Sequence, residues 1–222
     1  MKSKTILSDL SFYHPILNTN IDYMHSIMEG VLKRFFRAWF HDKLDLELPD
    51  KSLKDQREEI NLRLLRIRPP SFVPNAPRDI YSWNLWKASE FLAFLLYFCL
   101  PVFNHIMKAD YFSHLIKLVV CLEYLLAENI SKSDLDDLNS ILTAFVRDSE
   151  MLYGPDINLS GMHELLHIVQ CTLDFGPLNI VSTFPFEENN RGILSLIHGH
   201  DLIGDEFLKA MSVAQALRTS IC

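Results

Sequence analysis

Apolar residues recur along most of the chain at three- and four-residue steps, the period of a helix with one buried face. Met24, Ile27, Met28, Val31, Leu32, Phe35 and Trp39 follow it and predict a helix over about 23–41. Ile60, Leu64 and Ile67 share one face of a second helix over about 51–67, which should stop at Pro69-Pro70. Four prolines within 69–78 predict an extended connector, because each biases the residue before it away from helix. Long apolar helices follow at about 81–106 and 111–128, the first kinked or broken at Pro101. The two are expected to pack as a pair. Ser131 or Ser133 should cap a helix over about 132–152, with Asp134, Asp136 and Asp137 in its first turn and Gly154-Pro155 ending it. Shorter helices are expected at about 160–173, 188–197 and 205–219. Strand is conceivable only before Tyr23 and over Ile180 to Phe184. The fold class read from this pattern is mainly α.

Composition narrows the picture. Nearly half of the 222 residues are hydrophobic and only seven are glycine, which argues for a packed core rather than disorder or a turn-rich β fold. The apolar run Phe91 to Phe103 spans 13 residues and contains Pro101, too short for a membrane span. The N-terminus has no apolar signal core, so neither secretion nor membrane insertion is expected. Four scattered cysteines suggest neither a disulfide framework nor a cysteine-based zinc site. The net charge of −7 is uneven. Residues 1–120 carry 16 Lys and Arg against 13 Asp and Glu, whereas the remainder carries 5 against 15. Contact with nucleic acid, if made, belongs to the first half.

Several groups are candidates for chemistry. Asp22 and His25 stand three apart at the head of the first predicted helix; on spacing alone they are a helix cap and a first-turn histidine. His163, Glu164 and His167 spell HExxH, the helical arrangement of two zinc ligands and a general base, with Glu187 or Glu188 as a possible third ligand. The same histidines also suit a place in a core. His198 and His200 are a weaker metal pair, better explained by a turn. Arg63, Arg66, Arg68 and Arg78 flank the proline-rich connector, either as a solvated face or as contacts to DNA phosphate.

Four stretches taken in order resemble the CACTA-type (En/Spm-like) transposases. They are Ile21-Asp22-Tyr23-Met24-His25 with Glu29-Gly30-Val31, and Pro69-Pro70 through Pro77-Arg78 with Lys87-Ala88-Ser89-Glu90, Leu95-Leu96-Tyr97 and Leu100-Pro101-Val102. Then come Leu152-Tyr153-Gly154-Pro155 with His163 and His167, and finally Gly176-Pro177-Leu178, Phe184-Pro185-Phe186-Glu187, Gly192 and His198-Gly199. Order and spacing fit from about residue 15 to 200. The chain departs from the family at Gly161, where Asn is usual, and at Asn179, where Trp is usual.

The resemblance implies a DDE transposase of RNase H-like ancestry. In such enzymes three carboxylates hold two divalent metals, Mg²⁺ or Mn²⁺, that activate the attacking oxygen and stabilise the leaving one. Asp22 matches the second carboxylate, with His25 beside it, and Glu187 the third. On this reading residues 1–22 are the end of a truncated RNase H-like core, 23–175 a helical insertion region, and 176–222 the C-terminal part of the core. The insertion should leave and return to nearly the same place, so its two ends should lie side by side. Asp9 is the only acid before Asp22, and Leu7-Ser8-Asp9-Leu10 does not resemble the first-aspartate motif. The chain alone is therefore expected to bind metal weakly and to be inactive. Implied partners are transposon-end DNA and other transposase subunits, and the implied location is the nucleus. Two rival functions remain open: a non-catalytic helical module binding DNA or protein, and an HExxH zinc metallopeptidase.

Overall fold

Tyr23-Met24, Ile27-Met28, Val31-Leu32, Phe35-Phe36 and Trp39-Phe40 are all buried in the computed structural model, and the pairs between them are partly or fully exposed. The burial therefore repeats every four residues. An α-helix turns once in 3.6 residues, so such a stripe would drift around it by about 40° per repeat. Wider π winding, with hydrogen bonds to the fifth residue, drifts the opposite way. Helix α1 uses both: Met24–Leu32 is π-wound and Lys33–Phe40 is α-helical. The two drifts offset each other, and the stripe stays on the core. At its centre Phe36 is fully buried, its ring 5.2–5.7 Å from those of Trp39, Phe40, Trp83, Trp86, Phe91 and Phe94.

The structure describes residues 10–12, 14, 19–40, 51–73, 75–157, 160–194, 204–205, 208–209 and 212–213. Helix α2 is Arg57–Arg66, beginning later than expected and stopping before the two prolines. The described residues of the connector 69–78 are non-helical. The long helix expected over 81–106 is instead two elements. A 3₁₀ segment, Ile80–Leu85, is capped by Asp79, which accepts from the Tyr81 N–H at 2.7 Å. Helix α3 then runs through Ala88–Ala93, a π-wound Phe94–Phe98 and Cys99–Phe103. Pro101 has no N–H to donate to the carbonyl four residues back, and the wide winding directly before it absorbs that mismatch. The helix ends two residues after the proline, with His105 in the left-handed region at φ 60°.

Helices α4 (Ala109–Leu125) and α5 (Lys132–Tyr153) form an antiparallel hairpin. Its rungs are Tyr111 Oη to Leu152 O at 2.8 Å, His114 Nε2 to Phe145 O at 2.9 Å, and the Lys117–Asp148 ion pair at 2.7 Å. The expected pairing of 81–106 with 111–128 is only partly realised: α4 touches the π-wound part of α3 but packs chiefly against α5. The short link between them favours this, fixed by Ser131. Its Oγ accepts from Asp134 N–H while Asp134 accepts from Ser131 N–H. Gly154, at φ 87°, closes α5. The helix expected over 160–173 is divided into α6 (Ser160–Leu165) and α7 (Ile168–Phe175) at Leu166 and His167, with no glycine or proline at the break. Residues 178–181 turn rather than extend, and α8 is Phe184–Leu194. The described residues of 205–213 are helical; the rest of the last expected helix lies outside them. No strand occurs among the described residues, and the fold is mainly α. It forms two compact units, Met1–Ser182 and Thr183–Cys222; the sequence division falls at 175/176. None of the helices among the described residues is long and apolar enough to cross a membrane.

Candidate active site

Asp22 enters α1 as a cap and as a partner of His25 at once. Its Oδ1 accepts the Met24 N–H at 3.1 Å, and its backbone carbonyl accepts the Ser26 N–H at 3.0 Å. Its Oδ2 pairs with His25 Nδ1. The cap and the functional pair are thus one geometry, with the two carboxylate oxygens divided between backbone and imidazole. The Asp22 side chain is 23% exposed and that of His25 57%, so both are reachable from solvent. Beside them the chain folds back on itself: the Tyr23 hydroxyl lies 3.4 Å from Ser182 Oγ, in a buried contact between residues 159 apart. Burial pushes the Tyr23 phenol above its ordinary range. Residues 23 and 182 therefore meet within the first unit.

Glu187 lies in the first turn of α8, its N–H donating to Thr183 O at 3.1 Å. It belongs to the second unit, Asp22 to the first. Neighbouring Glu188 pairs with Arg191. His163 and His167 converge, with Nε2 atoms 3.2 Å apart and rings near perpendicular. They do so across the end of α6 rather than from one face of a continuous helix, as a zinc peptidase would present them. Among the described residues no three His, Cys, Asp or Glu are grouped to hold a metal. Among the described residues, the donors seen paired at Asp22 are its own carboxylate and the His25 imidazole, and more oxygen or nitrogen donors are needed to hold a divalent ion tightly. His198 and His200 lie outside the described residues.

The four arginines of the second candidate patch do not act alike. Arg63 is drawn in by the fold: Nε donates to Glu59 at 2.7 Å, and Nη1 to Asn104 O at 2.8 Å, capping the end of α3. Arg78 grips both Glu90 carboxylate oxygens at 2.9 Å through Nη1. Arg68 donates to Leu65 O at 3.2 Å, and Arg66 is exposed on α2.

Sequence reasoning missed a second basic pair. Arg34 and Arg37 line a cleft of about 140 Å³ between α1 and α6, with Glu29, Gly30 and Gly161. Arg34 donates through Nη1 to Asp156 O. Burial, with Arg37 adding to it, lowers the pKa of the Arg34 guanidinium, partly offset by Asp156. The available signal was an i,i+3 basic pair on the polar side of the first helix. Comparison with protein-family models, curated proteins and solved structures found no match.

Proposed function

We propose that the chain carries part of the catalytic apparatus of a DDE-type DNA transposase, with Asp22 and Glu187 as the second and third carboxylates and His25 beside the reacting phosphate. Transposon-end DNA is the substrate and the nucleus the place of action. The observation that supports this most is the buried Tyr23–Ser182 contact. It returns the chain, after 159 residues, to the head of α1, five residues before Glu187. A helical insertion between two carboxylates of one site must make such a return. When bound, the divalent metals would supply charge stabilisation and an activated oxygen. Asp9, the only acid before Asp22, does not match the first-aspartate motif, so the chain by itself is expected not to nick DNA.

Iron-directed backbone cutting tests the assignment. Fe²⁺ at millimolar concentration with ascorbate and peroxide should cut the chain near residue 22 and near residue 187, and Asp22→Asn should suppress both clusters. Cutting at one place only, or cutting indifferent to Asp22→Asn, would reject the pair.

A further inference from the structure

We propose that the cleft holding Arg34 and Arg37 binds a backbone phosphate of a nucleic-acid strand. The choice of a nucleic-acid phosphate rests on the proposed function; the anion chemistry does not. Arg34 and Arg37 are three apart on α1 and so share one side of it. Both line the same cleft; Asp156 acts on Arg34 as an opposite charge, but the balance of burial and Arg37 still lowers the Arg34 pKa. Glu29, the acid of the cleft, is held by Lys33 at 3.3 Å, which offsets its charge. One Arg34 N–H is used by Asp156 O, and a guanidinium has five. The others remain as donors for oxygen, in the planar fork that matches phosphate.

The rest of the lining suits an anion as well. Val31, Ile157 and Met162 are apolar, and they strengthen a charge–charge contact by excluding water. Gly30 and Gly161 put no side chain into the cleft. Its volume of about 140 Å³ admits a phosphate group with some of its water, taking about 30 Å³ per water as the scale. Arg37, Glu29 and Gly30 are exposed, so the cleft opens on the polar side of α1. That is also the side of His25, at the other end of the helix. A strand reaching His25 would have its neighbouring phosphates within reach of the arginines. Arg34 and Arg37 lie in the half of the chain that carries the excess of Lys and Arg.

The test is fluorescence anisotropy of a labelled DNA duplex titrated with the full chain at several salt concentrations. Arg37→Ala, at an exposed position, should weaken binding by about three- to tenfold and reduce the log–log salt slope by about one. Arg34→Gln, which keeps a donor for Asp156 O, should do the same with an unchanged circular dichroism spectrum. Arg147→Ala, at an exposed arginine on α5, is the control and should change little. Equal losses in Arg37→Ala and Arg147→Ala would mean diffuse attraction and overturn the site. A parallel ³¹P NMR titration with inorganic phosphate separates the sources. If phosphate binding depends on Arg37 while duplex binding does not, the nucleic-acid assignment is overturned. Absence of both overturns the cleft. Iron-directed cutting at Asp22 is read independently, so failure of the catalytic reading and failure of this cleft are distinguishable.

Discussion

His114 shows how one residue sets a property of the whole. It is 2% exposed, stacked on Phe145 with ring centroids 4.1 Å apart. Nε2 faces Phe145 O at 2.9 Å and Ser149 Oγ at 3.1 Å, while buried Nδ1 has no hydrogen-bond partner. A second proton would have to enter at Nδ1, where nothing receives it. Burial accordingly lowers the pKa from 6.5 to about 4, with Lys117 adding to the shift and Phe145 O and Asp148 opposing it. The unfolded chain binds this proton first, so stability is complete above about pH 6.5 and falls as pH drops towards 4. The whole effect is on the order of 3 kcal/mol, from about 1.4 kcal/mol per unit. Urea midpoints measured from pH 7 to 4 should fall, and more steeply than in His114→Gln. Parallel curves would show that another group dominates. Asp22 is the contrasting case at this scale. Cap and functional pair require the same contacts, so its local geometry favours neither reading.

Helices, rather than single residues, carry most of what was legible in the sequence. Elements with strong punctuation came out where expected: Ser131 with Asp134 opens α5, Gly154 ends it, and Pro69-Pro70 lies beyond α2. The first helix was legible as a helix, but its π winding was not. Three- and four-residue steps fit several windings, and only burial of both members of each apolar pair reveals the period of four. The break at Leu166 and His167 has no local marker, and it is what separates His163 and His167 from a continuous HExxH helix. Gly161 stood out in the sequence only against the pattern of the transposases that the chain resembles, and the structure gives a physical reason for a glycine there. A Cβ there would stand 2.7 Å from Ser26 O and 3.3 Å from a Val31 methyl, so α6 lies on α1 at a distance only glycine permits. The obstacle is backbone, which cannot rotate aside. Gly161→Ala should therefore cost about 1–3 kcal/mol in chemical denaturation. It should also weaken Arg37-dependent duplex binding by shifting one wall of the cleft. Wild-type stability in this variant would show that the two helices are not held this close.

At the scale of the molecule, the buried core and Glu187 belong to different compact units. Every buried hydrophobic side chain among the described residues lies between Tyr23 and Leu178, and the described residues of Thr183–Cys222 contribute none. The buried apolar side chains of the described residues thus all belong to the first unit, and their withdrawal from water is the main term favouring its folding. The hairpin of α4 and α5, the aromatic cluster around Phe36 and the Tyr23–Ser182 contact all fall inside it. Leu178 joins it too, its N–H donating to Leu125 O at 2.9 Å. Residues 1–182 produced alone should therefore fold, with a single cooperative thermal transition within about 5 °C of that of the full chain, a shift of roughly 1 kcal/mol or less. They should also keep Arg37-dependent duplex binding, because the cleft is complete without Glu187. Iron-directed cutting near residue 22 should weaken, because a carboxylate assigned to the metal has been removed. A truncated chain that loses cooperative unfolding would show that Thr183–Cys222 is needed to build the first unit. A truncated chain that folds yet cuts at Asp22 as strongly as before would remove Glu187 from the metal site while leaving the arginine cleft untouched.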